Sequence, residues 1–308
     1  MDKQIIRKLL TAVGYYRIKA SLKQRIHERS IQKKDAKRIK MMQSEINGIT
    51  KRILPSPLEK LNVVISLTSY GKRVSENVPY AIMSILHQSI MPNRIVLNLD
   101  RKSWNKDNIP DLLKKLQIAG VEIHFCEDVG PHTKLLPSIG RFTEDIIITV
   151  DDDIIYEQNL ISDLLGGYNG SDKNTIICRE ATVIEKNRDG EYISYTKSRD
   201  AVPGTMAIGY MPLGFRGVLY PPHVFKTDMI FNPIFKSICK NADDVWFGVT
   251  EYKEMIKVYC VKSENITLDF VNTMEQYNPS AETCLYYENS IQGKNDIQYK
   301  AVLDYYEL

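Results

Sequence analysis

Residues 145–153 read Asp-Ile-Ile-Ile-Thr-Val-Asp-Asp-Asp, a short apolar run that ends in three consecutive carboxylates. The β-branched run from Asp145 to Val150 predicts a buried strand, and it is the most apolar strand candidate in the chain. Three adjacent carboxylates repel one another, and nothing in an apolar core would offset that repulsion. We therefore expect this stretch to form a binding edge of the fold rather than a part of its scaffold.

Further strands and helices are predicted on the N-terminal side of this run. Apolar runs and turn signals predict strands at Asn62–Thr68, Arg94–Leu99 and Val121–Cys126, and helices at Val78–Gln88, Pro110–Ala119 and Lys134–Phe142. Strands that alternate with helices indicate right-handed crossovers and a mostly parallel sheet. In such a sheet ligands bind beyond the carboxyl ends of the strands, where Asp100 and the three aspartates fall. The sequence thus predicts an α/β fold with its site at this edge.

The three aspartates suit a hard divalent cation. Mg²⁺ and Mn²⁺ take one or two protein carboxylates and complete their coordination with water and phosphate oxygens. On an extended backbone Asp151 and Asp153 point the same way, because side chains alternate with a period of two. We interpret Asp151 as facing a nucleotide ribose and as a second metal ligand, Asp153 as the main metal ligand, and Asp152 as part of the nucleotide-sugar pocket. A solvated acidic turn is the alternative.

Phosphate groups at this edge require positive charge, and the loop Gly130–Lys134 supplies a candidate. The loop lies between the third and the fourth predicted strand, so it can reach the same crevice. Lys134 suits a diphosphate as a point charge, whereas an exposed loop lysine is the alternative. His132 could donate a hydrogen bond to a phosphate or be a satisfied surface residue.

A second acidic cluster, Asp243-Asp244, stands two residues before Trp246. Two carboxylates beside an aromatic side chain suit general-base chemistry, because apolar neighbours raise a carboxylate pKa and the ring can wall a saccharide subsite. We predict Asp243 or Asp244 as a catalytic base and Trp246 as acceptor-binding. Aspartates that cap a helix N-terminus are the alternative, and the two roles can coexist.

Glycine and aromatic residues are frequent between the two acidic clusters, in residues 204–223. Glycine lets a chain pass close to a bound substrate, and Tyr220 is predicted to stack on a sugar ring of the acceptor. Arg216 is predicted to contact a phosphate or acceptor group, with a structural salt bridge as the alternative. His223, which follows two prolines, is the one histidine that we consider as a third metal ligand.

Charge is unevenly distributed along the chain. Residues 1–52 contain 15 lysines and arginines against 4 acidic residues, whereas the remainder contains 26 against 34. Apolar side chains recur at helical spacing in the basic segment, at Ile5, Ile6, Leu9, Leu10, Val13 and Tyr16. Such a helix can lie in the headgroup plane of an anionic membrane, with its basic side chains outward. Docking on the body or on another subunit is the alternative, and no signature supports nucleic-acid binding.

Composition excludes several classes of protein. With 308 residues, 43% hydrophobic and 26% charged, the chain resembles a soluble enzyme rather than a disordered protein. No apolar run approaches the roughly 20 residues of a membrane helix. Five cysteines without a Cys-x-x-Cys pair argue against a disulfide framework and a zinc knuckle, and they favour a reducing cytosol. Basic residues interrupt the first apolar stretch, so no signal peptide is predicted.

The order of these motifs resembles that of bacterial glycosyltransferases of the GT-A fold, close to the family-2-like enzymes of capsule and lipopolysaccharide assembly. The similarity covers about residues 61–300, from the strand that runs into Thr68-Ser69-Tyr70 through VGPHTK, IITVDDDIIY and GVLYPPH to ADDVWFG. It implies transfer of a sugar from a nucleotide-diphosphate donor to a saccharide or lipid-linked acceptor, with Mn²⁺ or Mg²⁺ and with inversion at the anomeric carbon.

The resemblance also implies roles for individual residues. Thr68, Ser69 and Tyr70 would line the nucleotide pocket, Asp151 and Asp153 would be the D-x-D pair, and Asp243 or Asp244 would be the base. Members of the family often carry an acidic pair after the second strand to read the nucleobase. Here a single Asp100 is followed by Arg101, which leaves Asp100 as the nucleotide contact and a uridine nucleotide as the default.

The linker Pro55-Ser56-Pro57 divides the predicted domains. Residues 1–57 are predicted to form the basic arm and linker, and residues 58–308 a catalytic domain with a nucleotide-binding half (58–153) and an acceptor-binding half (154–308). A lipid-linked acceptor would place the enzyme in the cytoplasm, peripherally at the inner face of the cytoplasmic membrane. The alternatives are a haloacid-dehalogenase-type phosphohydrolase and a non-catalytic nucleotide-sugar-binding protein.

Overall fold

Apolar, β-branched runs form the strands of this chain. The computed structural model describes residues 3–59, 61–264, 266–277 and 293–308 and, in the first helix, side chains from Gln24 onward. The strands are β1 (Val63–Thr68), β2 (Arg94–Asp100), β3 (Glu122–Cys126), β4 (Ile146–Thr149), β5 (Ile154–Ile155), β6 (Ile176–Cys178), β7 (Ala181–Val183), β8 (Thr205–Ile208), β9 (Tyr210–Pro212), β10 (Val218–Tyr220), β11 (Lys257–Cys260) and β12 (Asp269–Phe270). The four strands predicted from the first half of the sequence are all present, with bounds shifted by a residue or two.

Helices alternate with strands β1 to β4 and also follow β5 and β10. They are α1 (Lys3–Asn47), α2 (Arg73–Glu76), α3 (Val78–Leu86), α4 (Asp111–Ala119), α5 (Leu136–Arg141), α6 (Leu160–Gly170), α7 (Phe235–Ile238), α8 (Asp243–Lys253), α9 (Thr273–Tyr277) and α10 (Lys294–Tyr305). The predicted helix at 134–142 is split, because a 3-10 turn at His132–Lys134 precedes α5. No helix in the described ranges is long and apolar enough to cross a membrane.

One eight-stranded sheet organises the domain, in the order β3-β2-β1-β4-β10-β6-β11-β8. Strands β1 to β4 are mutually parallel, β10 runs antiparallel between β4 and β6, and β11 lies parallel to β6. Six of the eight strands therefore share one direction, and only β10 and β8 are reversed. The predicted fold class, α/β with a mostly parallel sheet between helices, is confirmed.

Alternate residues of the central strands belong to two separate hydrophobic cores, one on each face of the sheet. In β4, Ile146 and Ile148 pack on the face that carries α3, α4 and α6. Ile147 packs on the opposite face, against α8 and α10. Burial on both faces explains why these strands are continuous apolar runs. It also leaves the strand ends as the places where polar side chains can gather.

The last third of α1 and the residues directly after it are part of the first of these cores. Met42, Ile46 and Ile49 are buried at 6%, 0% and 6% exposure, and each buried apolar side chain of this size contributes about 1.5–3 kcal/mol. The expectation of an arm outside the body does not hold for this part of the helix. The predicted apolar face at residues 5–16 lies in the part of α1 whose side chains are outside the described residues.

Four of the five cysteines lie in the part of the chain that the structure describes. Cys126, Cys178, Cys239 and Cys260 are buried and free, whereas Cys284 lies outside the described residues. Cys178 and Cys260 are register partners on β6 and β11, where they serve as small core side chains. No disulfide links the cysteines within the described ranges.

Candidate active site

The carboxylates that follow β4 lie in a turn, not on an extended strand. β4 ends at Thr149, and Asp152 and Asp153 form the turn before β5. Side-chain alternation therefore does not apply, and the expectation that Asp151 and Asp153 point the same way was wrong. Asp151 faces Lys134, whereas Asp153 and Asp152 face Arg73.

Lys134 lies at the centre of the site. Its ammonium nitrogen is 3.0 Å from Asp151 Oδ1 and 2.8 Å from Asp243 Oδ2. Asp244 Oδ1 is 3.9 Å away. Lys134 is 7% exposed, so it is not the exposed loop lysine that the sequence also allowed. One buried cation thus joins the two acidic clusters that lie far apart in the sequence.

A polar network below Lys134 fixes its backbone on the sheet. Ser66 Oγ of β1 donates to the Lys134 carbonyl at 2.5 Å and shares a hydrogen bond of 2.6 Å with Ser138 Oγ. Asn98 Nδ2 of β2 donates to both hydroxyls at 3.1 Å. These polar groups are buried and satisfied, which makes the position of the lysine well defined.

Arg73 neutralises the other half of the carboxylate turn. Its guanidinium makes a two-pronged contact with Asp152, with Nε 3.1 Å from Oδ2, and lies 3.1 Å from Asp153 Oδ2. Ser69 Oγ also donates to Asp152 Oδ2. Asp152 is therefore a buried partner of the chain's own groups, which is a different role from the predicted contact with a nucleotide sugar.

The N-terminus of α8 supplies the second pair of carboxylates. Asp243 and Asp244 lie in its first turn, where the free N–H groups and the helix dipole stabilise negative charge. The Asp244 side chain is 26% exposed, against 11% for Asp243. Asp244 Oδ1 also accepts a hydrogen bond of 3.1 Å from the backbone N–H of Gly214.

Gly214 has no side chain, and this leaves room for the Lys134 ammonium and the Asp244 carboxylate. An added Cβ would overlap Lys134 Nζ and would lie 2.7 Å from Asp244 Oδ1. We expect Gly214→Ala to lower the free energy of unfolding by about 1–3 kcal/mol, because the added methyl group must displace the buried Lys134 ammonium or the Asp244 carboxylate. Gly166→Ala is the control, since a Cβ there meets nothing within 4 Å. Chemical denaturation of the two variants makes the comparison, and equal stability would contradict the crowding argument.

Negative charge exceeds positive charge in this cluster. Burial, opposed by Arg73 and reinforced by the neighbouring aspartates, raises the pKa of Asp153 to about 7. Burial and the adjacent Asp243 likewise raise the pKa of Asp244 to about 7. Burial also works against the charge of Lys134, yet its carboxylate partners hold the pKa of that amine well above the ordinary value. The lysine is therefore charged at neutral pH.

The carboxylate oxygens of this cluster suit a hard divalent cation as ligands. Five carboxylates (Asp151, Asp152, Asp153, Asp243 and Asp244) face two cationic side chains, and carboxylate oxygens are the ligands that Mg²⁺ and Mn²⁺ prefer. Across the described ranges, no three His, Cys, Asp or Glu side chains are arranged around one point as a formed cation site. The surplus of negative charge is thus present without a complete set of protein ligands.

The predicted nucleotide contacts lie on the carboxyl-terminal side of β1 and β2. Thr68 Oγ1 donates to the carbonyl of Asn98 at 2.9 Å, and Tyr70 is 45% exposed beside the Arg73 guanidinium. Asp100 accepts from Lys102 N at 3.0 Å and from Ser103 Oγ at 2.7 Å, and these hydrogen bonds lower its pKa. The Asp100 carboxylate therefore caps its own turn in this state.

Three predicted site residues do not reach the crevice. Trp246 is fully buried and donates from Nε1 to the Ile230 carbonyl at 2.9 Å, and Tyr220 is 3% exposed in the same core. Neither ring can wall a saccharide subsite. His223 lies 2.9 Å from Glu144, beyond the amino-terminal end of β4, because β10 runs antiparallel to that strand. It is therefore at the opposite edge of the sheet from Asp153 and is not a metal ligand.

Arg216 and His132 also have structural partners. Arg216 Nε is 2.9 Å from Glu180 Oε2, and Arg216 Nη1 donates to the Thr267 carbonyl at 3.0 Å, so its guanidinium is engaged rather than free for the predicted acceptor contact. His132 is buried and stacks on Phe235 with ring centroids 4.4 Å apart. Burial lowers the pKa of His132 to about 4 and keeps its ring neutral.

Two residues of the site escaped sequence reasoning. Arg73 closes the turn that follows β1, at the same edge as the aspartates, and a basic residue there was a usable signal. Tyr195 lies near the α8 carboxylates. Burial raises the pKa of its hydroxyl, and the negative charges of Asp244 and Asp243 raise it further. It comes from a 3-10 turn in an otherwise irregular region, and no pattern in the sequence pointed to it.

Comparisons with known proteins give distant likenesses in fold. No family model and no curated protein matches this chain. Among solved structures, a fragment of S. aureus TarS is 13% identical, with 66% of this chain and 59% of that one covered at a TM-score of 0.45. A 4-diphosphocytidyl-2C-methyl-D-erythritol synthase from Anaerococcus prevotii is 12% identical, with coverages of 72% and 98% at a TM-score of 0.42.

A third likeness is to a structure with ligands. Glucosyl-3-phosphoglycerate synthase from Mycobacterium tuberculosis, in complex with Mn²⁺, UDP and glucosyl-3-phosphoglycerate, is 12% identical. The alignment covers 39% of this chain and 43% of that one at a TM-score of 0.30. The present chain thus spans about three fifths of the TarS fragment and less than half of this synthase. Likenesses at these identities and scores carry no information about donor, acceptor or metal.

Proposed function

We propose that this chain is a metal-dependent glycosyltransferase that moves a sugar from a nucleotide-diphosphate donor, by default a UDP-sugar, to a saccharide or lipid-linked acceptor. One observation carries the proposal: Lys134 joins Asp151 to Asp243 at the carboxyl edge of the parallel strands. In a group transfer the donor and the catalytic base lie side by side, and Lys134 brings the two carboxylate clusters into such an arrangement. The resemblance in motif order further suggests an enzyme of bacterial capsule or lipopolysaccharide synthesis.

Asp244 is the catalytic base in this proposal, and Asp243 is the counter-ion of Lys134. Asp244 is the more exposed of the two carboxylates and is farther from the ammonium. A base acts best when its pKa lies near the working pH, and the pKa of Asp244 is raised to about 7. Asp243 forms the closer ion pair, at 2.8 Å from Lys134 Nζ, and is the more buried of the two carboxylates, so it is less accessible to an acceptor hydroxyl.

The reaction then follows an inverting course. The acceptor hydroxyl gives its proton to the Asp244 carboxylate, and its oxygen attacks the anomeric carbon from the side opposite the diphosphate. The bond from the anomeric carbon to the diphosphate oxygen breaks, and its electron pair leaves with the nucleoside diphosphate. Lys134 and Arg73 contribute fixed positive charge near the departing group, and preorganised charge of this kind is often the largest catalytic effect.

The carboxylate oxygens of the cluster would serve as ligands of a divalent cation in this scheme. Asp153 is the residue that would hold it, with phosphate oxygens and water completing the coordination, because Asp151 faces Lys134 instead. When bound, Mn²⁺ or Mg²⁺ supplies neutralising charge for the leaving diphosphate.

The experiment that tests the function is calorimetric titration of the full chain with UDP, GDP, CDP and dTDP, each with Mn²⁺ and with EDTA. We expect one nucleotide to bind, and to bind more tightly with Mn²⁺. If none binds in either condition, the proposal is wrong, and a phosphatase screen would test the haloacid-dehalogenase alternative. Binding without turnover of any donor would support the non-catalytic alternative.

Asp153→Asn is expected to weaken the metal-dependent part of this binding at least about tenfold, because it removes a charged oxygen ligand while keeping the side-chain shape. Asp189→Asn, in an exposed turn, is the matched control with the same change in charge. The readout is the ratio of dissociation constants with Mn²⁺ and with EDTA. A wild-type ratio in Asp153→Asn would overturn its assignment as a metal ligand.

The N-terminal part of α1 is proposed to bind an anionic membrane surface. Residues 3–23 of this helix contain six lysines and arginines and no acidic residue, and Arg25 and Arg29, which follow them, are exposed to solvent. Each basic side chain near an anionic surface contributes about 1 kcal/mol. A lipid-linked acceptor would make this attachment useful, and the enzyme would then act at the inner face of the cytoplasmic membrane.

Removal of residues 1–23 is expected to abolish binding to vesicles that contain phosphatidylglycerol while leaving nucleotide binding unchanged. This cut spares Met42, Ile46 and Ile49, which belong to the core. Co-sedimentation is the measurement, with vesicles of phosphatidylcholine alone as the control for charge. Unchanged sedimentation of the shortened chain would end the membrane proposal and favour docking of the arm on a protein.

A further inference from the structure

A short segment, Asp269–Thr273, lies between the N-terminal helix and the carboxylate turn; we call it the strap. It consists of β12, Val271, Asn272 and the first residue of α9. On one side it contacts α1, and on the other side it pairs with β5, which follows Asp153 directly. The strap therefore contacts the N-terminal helix along one edge and the strand that follows Asp153 along the other.

Contacts between α1 and the strap are charged and partly buried. Arg38 Nη1 lies 2.6 Å from Asp269 Oδ2, and the same guanidinium donates to the Phe270 carbonyl. Arg38 Nη2 is also 3.0 Å from Asp35 Oδ1, and Asp35 Oδ2 accepts from Thr273 N at 3.0 Å. Asp35 is 6% exposed and the Arg38 side chain 17%. Each charge has a partner, so the two residues hold the strap from both of its ends.

The opposite edge of the strap holds the backbone of the carboxylate turn. β12 pairs antiparallel with β5, with Asp269 opposite Ile155 and Phe270 opposite Ile154. The Val271 N–H donates to the Asp153 carbonyl at 2.8 Å. Because β5 has only two residues, this pairing is the main regular structure that anchors the turn on its C-terminal side.

We infer that Arg38, together with Asp35, is a positioning residue for Asp153: the N-terminal helix is part of the scaffold of the donor site, and the strap transmits its position to the carboxylate turn. The inference rests on the proposed function only where it concerns the nucleotide. Its geometric content, that Arg38 orders residues 153–155 through the strap, stands apart from the identity of the ligand.

Two variants break this connection from opposite sides. Arg38→Met keeps the aliphatic stem on α1 and removes the guanidinium. Asp269→Asn removes the partner charge on the strap and leaves the pair of Asp35 and Arg38 intact, so it perturbs folding less. Lys37→Met, an exposed neighbour on the same helix, is the control for loss of one basic residue, and Arg38→Lys is the conservative variant.

Two readouts are needed. In the full-length chain, the dissociation constant of UDP with Mn²⁺ is expected to rise about tenfold in Arg38→Met and in Asp269→Asn, the size of effect seen when groups that support a metal ligand are removed. The KM for the donor is expected to rise with little change in kcat, because Lys134 and Asp244 are untouched. Hydrogen exchange at residues 154–155 and Val271 is expected to become faster in the same variants, and Arg38→Lys is expected to restore part of both effects.

The outcomes separate the inference from the proposed function. Faster exchange in the strap together with wild-type exchange at residues 154–155, wild-type affinity and wild-type KM would overturn the inference and leave Arg38 with a structural role only. Non-additive effects in the double variant Arg38→Met/Asp269→Asn support it, because the two changes then break one connection. If the wild-type chain binds no nucleotide, the proposed function fails. Exchange at residues 154–155 then decides the positioning role alone, and unchanged exchange there would refute it.

Discussion

Lys134→Met is expected to lower sugar transfer by about a thousandfold, the upper range for loss of one preorganised charge. Lys134 is the buried contact between Asp151 and Asp243, so the variant leaves carboxylates facing one another with no cation between them. Removing one partner of a buried ion pair costs about 3–5 kcal/mol of the free energy of unfolding. Donor turnover and chemical denaturation of the same preparation measure the two effects.

Lys236→Met is the matched control for this substitution. Lys236 also forms an ion pair, with Glu127 at 2.7 Å, but both side chains are about half exposed or more. Exposed pairs of this kind contribute about 1 kcal/mol or less, so we expect little change in stability and none in turnover. Wild-type transfer by Lys134→Met would remove Lys134 from the site and with it the main support for the proposed function.

Asp244→Asn is expected to have opposite effects on activity and on stability. Because Asp244 is the proposed base, its replacement should lower turnover by about 10²- to 10⁴-fold. Burial raises the pKa of Asp244 from 3.8 to about 7 in the folded chain, so its ionisation opposes folding. This cost is absent below about pH 4, grows between about pH 4 and pH 7, and is fully present above that range. The variant should therefore be more stable than the wild type at pH 8, by about 2–4 kcal/mol.

The neighbouring Asp243→Asn is the informative comparison. Asp243 is the closest carboxylate to Lys134 Nζ, at 2.8 Å, so this variant is expected to lose stability where Asp244→Asn gains it. Thermal unfolding of both variants from pH 4 to pH 8, with donor turnover at each pH, gives the test. If Asp244→Asn keeps full activity while Asp243→Asn is inactive, the base is Asp243.

Much of the first half of the fold was predictable because its signals are local. Strands such as Val63–Thr68 and Ile146–Thr149 are continuous β-branched runs, and burial on both faces requires such runs. Gly120 directly follows the predicted helix at Pro110–Ala119 and ends α4 in the left-handed conformation, with φ of 109°, that favours glycine. Local chemistry also predicted polar side chains at the strand ends, since nothing in a core can compensate adjacent carboxylates.

The site predictions that were wrong rested on residue type without knowledge of the residue's position in the fold. Trp246 looks suited to a sugar subsite, yet it lies on the side of α8 that packs into the core, two residues after Asp244. Tyr220 is buried for a similar reason, on the short β10. His223 appeared close to the aspartates only while the direction of β10 was unknown. An antiparallel strand carries its C-terminal neighbours to the far edge of the sheet.

Local hydrophobic period and residue type were enough to predict the α/β class, the positions of β1 to β4 along the chain and the presence of two acidic clusters. The pairing of each cation with its carboxylates could be seen only in the folded chain. Lys134 joins Asp151 to the α8 pair, and Arg73 joins Asp152 to Asp153. The physical reason is that Coulomb interaction in a desolvated site depends on separations of a few ångströms. Residues far apart in the chain acquire such separations only when the sheet has formed.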